Sequence, residues 1–183
     1  MRSLRRSERG YSLLELMLVI AFAITAMTIA VPVLTDVSDN SKLNAAAREI
    51  EREFQSARLK SVSTNRLLRV RLNCPSTGMY RTVEYVASPA VDGATNRCST
   101  STYPFPPADS DVMTRPNFDG PVRILPLGAT VTSSVLEFHP DGTAVTVVSN
   151  VVTAITTPVT ITVTRKGKSK AITVNAAGKI QLQ

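Results

Sequence analysis

An α+β fold, one long N-terminal helix packed on an antiparallel β-sheet, is predicted by three features of the sequence. An uncharged apolar run of membrane-spanning length opens the chain, an amphipathic stripe at spacings of three and four follows, and beyond Asn65 apolar residues recur at every second position. The 183 residues therefore make one modest domain plus an appendage.

From Leu16 to Thr35 twenty consecutive residues carry no charge, and the apolar stretch begins at Leu13. As a helix, Leu13 to Leu34 covers about 33 Å at ~1.5 Å per residue, enough for a hydrocarbon core of roughly 30 Å. Four arginines, Arg2, Arg5, Arg6 and Arg9, precede it. The positive-inside rule thus places residues 1–10 in the cytoplasm and the bulk of the chain outside. Glu15 lies just inside the run, where a carboxylate is costly and calls for a partner. Pro32, near the far end, deletes a backbone hydrogen bond and is expected to kink or locally melt the helix. A cleaved secretory signal needs a small-x-small site after the run. The nearest mimics, Ala21-Phe22-Ala23 and Ala26-Met27-Thr28, are embedded within it.

The segment Arg9-Gly10-Tyr11-Ser12-Leu13-Leu14-Glu15-Leu16, followed by the apolar run, resembles the class III signal of type IV pilins and type II secretion pseudopilins. It shares a basic leader, a glycine directly before the apolar segment, a glutamate four residues after the mature start and a distant proline. The resemblance implies that a prepilin peptidase cuts between Gly10 and Tyr11 and that Tyr11, where the family usually has Phe, is then methylated. It also implies that Glu15 pairs with the N-terminal amine of a neighbouring subunit once the helices pack in a filament, since a buried carboxylate needs a cation beside it. Implied partners are the prepilin peptidase, other pilins or pseudopilins and an inner-membrane assembly platform. The implied location is a single-pass inner-membrane protein with a periplasmic C-terminal domain, later part of a periplasmic filament. The expected organisation is a cleaved leader at 1–10, a transmembrane and filament-core helix at 11–35, an amphipathic helix at 36–65 and a periplasmic β domain at 66–183.

After a polar break at Asp36 to Ser41, Leu43, Ala47, Ile50, Phe54, Ala57 and Ser61 or Val62 define one apolar helical face. Leu68, Val70 and Leu72 then alternate with Leu67, Arg69 and Arg71, and Pro75-Ser76-Thr77-Gly78 turns the chain into a second strand, Met79 to Val86. Residues 87–121, rich in Ser, Thr, Pro, Asp and Asn, read as a long surface excursion. Further strands are expected at Val122–Leu125, Val135–Phe138, Thr143–Val147, Val159–Val163, Ala171–Val174 and Ile180–Leu182. Pro140-Asp141-Gly142, Lys166-Gly167-Lys168-Ser169 and Asn175 to Gly178 supply turns. Three phrases, Ala57-Arg58-Leu59-Lys60-Ser61, Phe138-His139-Pro140-Asp141-Gly142-Thr143 and Gly178-Lys179-Ile180, resemble the GspH/FimT group of minor pseudopilins and minor pilins. That resemblance implies the pilin-like version of the fold.

Composition excludes several functions. One His and two Cys cannot build a four-ligand Cys/His zinc site, and ordinary hydrophobic content with 19% charged residues excludes intrinsic disorder. Of the formal charge of +7, residues 1–10 carry +3, and the +4 of the remainder is unremarkable for its size. Cys74 and Cys98 lie on the non-cytoplasmic side and are expected to form a disulfide, worth roughly 3.5 kcal/mol by loop entropy. His139 beside a turn reads as structural, no Gly-rich phosphate loop is present, and no enzyme activity and no cofactor are expected. Asp109-Ser110-Asp111 with Asp119 offers oxygen ligands for calcium, although solvated acidic loops are the commoner case. Arg165, Lys166, Lys168, Lys170 and Lys179 form a basic C-terminal quarter. Similar minor pilins bind DNA through such a segment, but a solvated hairpin tip is the favoured reading here. The function expected from these residues is that of a minor pseudopilin in a type II secretion or type IV pilus filament. The alternatives are a DNA-binding uptake pilin and a single-pass anchored binding domain.

Overall fold

The structure, a computed structural model, describes residues 12–106 and 116–183. Gly10, Tyr11, Asp109, Ser110 and Asp111 lie outside the described residues. The chain divides into two compact units at Ser38/Asp39.

One helix, α1, runs from Leu13 to Thr64. The helix is continuous through Pro32, with no melted turn there, and also through the expected polar break at Asp36–Ser41. Proline removes a single amide from the ladder and its neighbours can re-satisfy the freed groups. The Thr35 hydroxyl donates to the Pro32 carbonyl at 2.8 Å. Within this segment Asp39 pairs with Arg165 and Lys166, so the polar residues interrupt the apolar pattern and not the backbone.

In the second unit the C-terminal part of α1 buries Leu43, Ala46, Ala47, Ile50, Phe54, Ala57 and Ser61. This is the stripe set by spacings of three and four, widened by Ala46. Three of these positions are alanine, and small side chains let the helix lie close to the strands. Facing it are Val70, Leu72, Tyr80, Leu136 and Phe138 from one sheet and Ile161, Val163, Ile172 and Val174 from another. The Phe54 and Phe138 rings sit 6.2 Å apart, a favourable tilted pair.

Among the described residues ten strands form two antiparallel sheets. They are β1 (Leu68–Leu72), β2 (Met79–Glu84), β3 (Arg123–Ile124), β4 (Thr130–Val131), β5 (Val135–Phe138), β6 (Ala144–Val148), β7 (Val151–Ala154), β8 (Val159–Arg165), β9 (Lys168–Val174) and β10 (Ile180–Leu182). The larger sheet has the order β3-β2-β1-β5-β6-β7 and the smaller β10-β9-β8-β4. Period-two reading therefore located most strands but not their division between two sheets, which depends on pairings far apart in sequence. β4 and β7 were also not expected. β4 is two residues long, and β7 is an edge strand with every residue exposed, so neither leaves an alternating pattern. The excursion at 87–121 includes a one-turn helix, α2 (Pro89–Asp92). Cys74 and Cys98 are disulfide-bonded with Cα atoms 5.6 Å apart, tying the end of β1 to the excursion.

Candidate functional site

In the first unit the apolar part of α1 is exposed along its whole length, with Leu13, Phe22 and Ile29 each about 70% exposed or more. It is long and apolar enough to cross a membrane, and none of that stretch is buried against its own chain. Its hydroxyls are satisfied internally. Thr25 donates to the Ala21 and Phe22 carbonyls at 3.1 and 2.9 Å, and Thr28 to the Thr25 carbonyl at 2.7 Å. Glu15, in the first turn, thus stands as the one acidic group on an apolar surface between Leu13 and Thr35.

The three phrases singled out in the globular part meet in space. Arg58 on α1 donates from Nε to the Gly142 carbonyl at 2.9 Å and from Nη2 to the Ala177 carbonyl at 3.1 Å. It thereby ties the helix to the β5–β6 turn of one sheet and the β9–β10 turn of the other. Three residues along the same helix, the buried Ser61 hydroxyl donates to the carbonyls of Phe138 at 2.9 Å and Arg66 at 2.7 Å. The two turns also touch directly, with Ala144 N–H donating to the Ala176 carbonyl at 2.9 Å. Gly178 has a φ of 68°, and a Cβ there would lie 2.2 Å from the Gly142 carbonyl oxygen. Glycine is thus required twice over, by conformation and by space. Gly178→Ala is expected to destabilise the domain by about 2–3 kcal/mol, from the left-handed backbone and the forced separation of the turns. A thermal unfolding midpoint matching the wild type would contradict this account. Asp141 closes the β5–β6 turn by accepting from the Thr143 hydroxyl at 2.7 Å and the Thr143 N–H at 2.9 Å. Those bonds hold its carboxyl below the ordinary value. His139 hydrogen-bonds the buried Glu137 at 3.0 Å.

On the face of the larger sheet opposite the helix, β1 and β2 present arginines. Arg81 and Arg97 are among the most buried large side chains of the described residues. Arg81 donates to the carbonyls of Gly120 at 2.7 Å and Tyr103 at 2.8 Å. Arg97 grips Asp119 with both terminal nitrogens and donates to the Glu84 carbonyl at 2.9 Å. Arg69 pairs with Glu137 at 2.5 Å and lies 4.1 Å from the Tyr85 ring centroid. The described ends of the excursion, around Arg97 to Tyr103 and around Asp119, are therefore folded onto the sheet by buried ion pairs and hydrogen bonds. Asp119, a candidate calcium ligand from the sequence, is engaged by Arg97 and by the Glu84 N–H at 2.8 Å, which leaves a cation no access to it. No group of three or more metal-ligating residues occurs among the described residues. The available signal was the pair Arg69/Arg71 on one strand face, with an isolated Arg97 and Asp119 in a polar excursion.

The five basic residues of the C-terminal quarter are not brought to one surface. Arg165 is buried and donates to Asp39 at 3.0 Å, and Lys166 reaches the same carboxylate at 2.8 Å. The hydrogen bonds from Lys166 and then Arg165 hold the Asp39 carboxyl below its ordinary value. Lys168 is exposed at the same hairpin tip, and Lys170 is half-buried two residues along β9. Lys179 sits in the β9–β10 turn beyond Val174. At ~3.4 Å per strand residue it is roughly 20 Å from the tip.

Comparison with curated proteins finds no match. Among solved structures, the type IV minor pilin FimU of Pseudomonas aeruginosa is similar at 16% identity and a TM-score of 0.48, over 80% of this chain and 92% of that one. The minor pseudopilin EpsH from the type 2 secretion system of Vibrio cholerae is similar at 14% identity and a TM-score of 0.46, over 78% and 96%. Residues 46–178 match the family described as type II transport protein GspH, and this span holds α1 from Ala46 onward, the buried arginines, two of the converging phrases and Gly178 of the third. The chain belongs to the family of type II transport protein GspH.

Proposed function

We propose that this chain is a minor subunit of a type II secretion or type IV pilus filament, acting in assembly and protein secretion. It is made as a precursor, cut by a prepilin peptidase between Gly10 and Tyr11, methylated on Tyr11 and held in the inner membrane with its β domain in the periplasm. One observation carries this reading. A single helix has one part built into the core of its own domain and another, predominantly apolar part that buries nothing in its own chain. Such a surface needs lipid before assembly and neighbouring helices after it. Glu15 then finds its cation in the N-terminal amine of an adjacent subunit, while the platform and the other pilins supply the docking. The disulfide suits an oxidising compartment.

The mass of the N-terminal peptide tests the pathway. With active peptidase, protein recovered from membranes is expected to begin at methylated Tyr11, and without it at the leader. Retention of residues 1–10 in both preparations would leave a single-pass anchored domain and remove the filament reading.

A further inference from the structure

The turn between β3 and β4 departs from the preference of turns for polar residues. Ala129 N–H donates to the Pro126 carbonyl at 2.9 Å, and Gly128 takes the left-handed position with a φ of 80°. Leu127 is thereby held at the corner, 92% exposed, the most exposed large apolar side chain among the described residues. β4 pairs antiparallel with β8, Thr130 opposite Thr164, so the turn extends alongside the β8–β9 hairpin tip. A Cβ on Gly128 would lie 2.8 Å from Arg165 Nη1, which puts the two loops side by side. The hairpin tip is basic. Lys166, Gly167, Lys168 and Ser169 are exposed, with Lys170 half-buried beside them. Arg165 and Lys166 fasten the tip to Asp39 on α1, at 3.0 and 2.8 Å, yet the Lys166 side chain stays 68% exposed.

Asp39 follows Thr35, the last residue of the uncharged run, by four residues. Four residues reach at most about 14 Å, whatever the angle between the span and the domain. The headgroup layer outside the hydrocarbon is itself about 5–8 Å deep. The hairpin tip and Leu127 are therefore tethered within reach of phospholipid headgroups. Around the tether five basic residues, Lys42, Arg165, Lys166, Lys168 and Lys170, stand against two acidic ones, Asp36 and Asp39. Excess lysine beside an exposed apolar side chain suits a surface that lies on an anionic bilayer. The ammonium groups meet phosphates, and the apolar group enters the boundary with the acyl chains. We infer that turn 126–129 and hairpin tip 166–170 form a docking surface for anionic phospholipid, with Leu127 as the apolar wedge and Lys166, Lys168 and Lys170 as the headgroup contacts. The inference rests on the membrane-anchored reading proposed above. It adds a second, salt-sensitive contact that holds the β domain against the bilayer before assembly.

The chain has no tryptophan, so one introduced by substitution is a sole reporter. The full chain carrying Leu127→Trp or Ser169→Trp is reconstituted in vesicles of brominated phosphatidylcholine, with or without phosphatidylglycerol, and its fluorescence quenching is read against Leu59→Trp. Leu59 is exposed and lies twenty residues beyond Asp39 on α1, about 30 Å along the helix. With phosphatidylglycerol, both tip reporters are expected to be quenched about threefold or more above the Leu59→Trp level. Replacing Lys166, Lys168 and Lys170 together by Gln, or raising the salt, should return both to that level. Leu127→Ser added to Ser169→Trp should remove most of its quenching, which tests the wedge without a tryptophan at 127. Near-ultraviolet circular dichroism checks that each variant is folded, and carbonate-resistant flotation with the vesicles checks the span. Floating protein whose tip reporters are quenched no more than Leu59→Trp would overturn the docking surface and leave the anchor standing. Failure to float would remove the anchored reading and the inference with it. Quenching that is equal without phosphatidylglycerol and indifferent to the lysine substitutions would overturn the assignment to anionic lipid, and Leu127→Ser without effect would overturn the wedge.

Discussion

Asp119→Ala is expected to open the 87–121 excursion, raising hydrogen exchange at the Gly120 and Glu84 amides by two to three orders of magnitude. Asp119 is 2% exposed and faces Arg97, 1% exposed, with Arg81, fully buried, 3.8 Å away. It also accepts the Glu84 N–H at 2.8 Å. Burial lowers the Arg81 guanidinium from its ordinary value, and the charge of Asp119 works against that fall. Removing the carboxylate leaves two buried cations facing each other, a change worth about 3–5 kcal/mol for a broken buried pair. The domain has a cheaper response than global unfolding. If the excursion lifts, both arginines reach water, while the α1 core and both sheets persist. The Gly120 amide, bonded to the Thr82 carbonyl at 2.8 Å, reports this directly. Cleavage by trypsin beyond Cys98 should rise in parallel, since the disulfide still pins that residue. Asp119→Asn keeps an acceptor without the charge and should fall between. Unchanged exchange at both amides in Asp119→Ala would mean that the ion pairs do not hold the excursion.

The contrast between α1 and the excursion shows what a sequence exposes to physical reading. Leu43, Ile50, Phe54 and Ser61 are buried because their spacing puts them on one face of a helix, and that spacing is local. Leu68, Val70 and Leu72 face the core for the same reason with a period of two. The Arg58 junction was visible as three phrases, but only the fold shows that two carbonyls from different sheets converge on one guanidinium. Arg81, Arg97 and Asp119 had no such signature. A charged residue in a polar segment is ordinarily solvated, and its burial follows from partners up to 39 residues away in sequence. The division into two sheets escaped for the same reason, since β4 pairs with β8 across 34 residues between Thr130 and Thr164. The basic C-terminal quarter shows the converse. Its residues are close in sequence, yet Arg165 turns inward to Asp39 and Lys179 belongs to another turn.

Glu15→Val is expected to leave membrane insertion intact and to abolish incorporation into filaments, on the reading proposed above. Valine favours hydrocarbon, and an acid within a span costs up to about 2.5–3.5 kcal/mol on insertion scales, so the variant should partition into the bilayer at least as well as the wild type. The peptidase step acts on the leader junction at Gly10 and Tyr11, and the N-terminus should still begin at Tyr11. Assembly is different because the helices leave lipid and pack against each other. There the positively charged N-terminal amine of one subunit is removed from water and needs a counter-charge. Thr25, Thr28 and Thr35 cannot supply one, since they are neutral and their hydroxyls donate to carbonyls of their own helix. Leaving that cation unpaired costs about 3–5 kcal/mol per interface, equivalent to a loss of two or more orders of magnitude in subunit addition. Glu15→Gln, which retains an acceptor but no charge, should restore part of the signal. Cysteine cross-linking between adjacent subunits, scored in a sheared filament fraction against the membrane fraction, measures both terms together. Wild-type incorporation of Glu15→Val would show that the carboxylate has no charge to balance, and would turn the exposed helix back into a simple anchor.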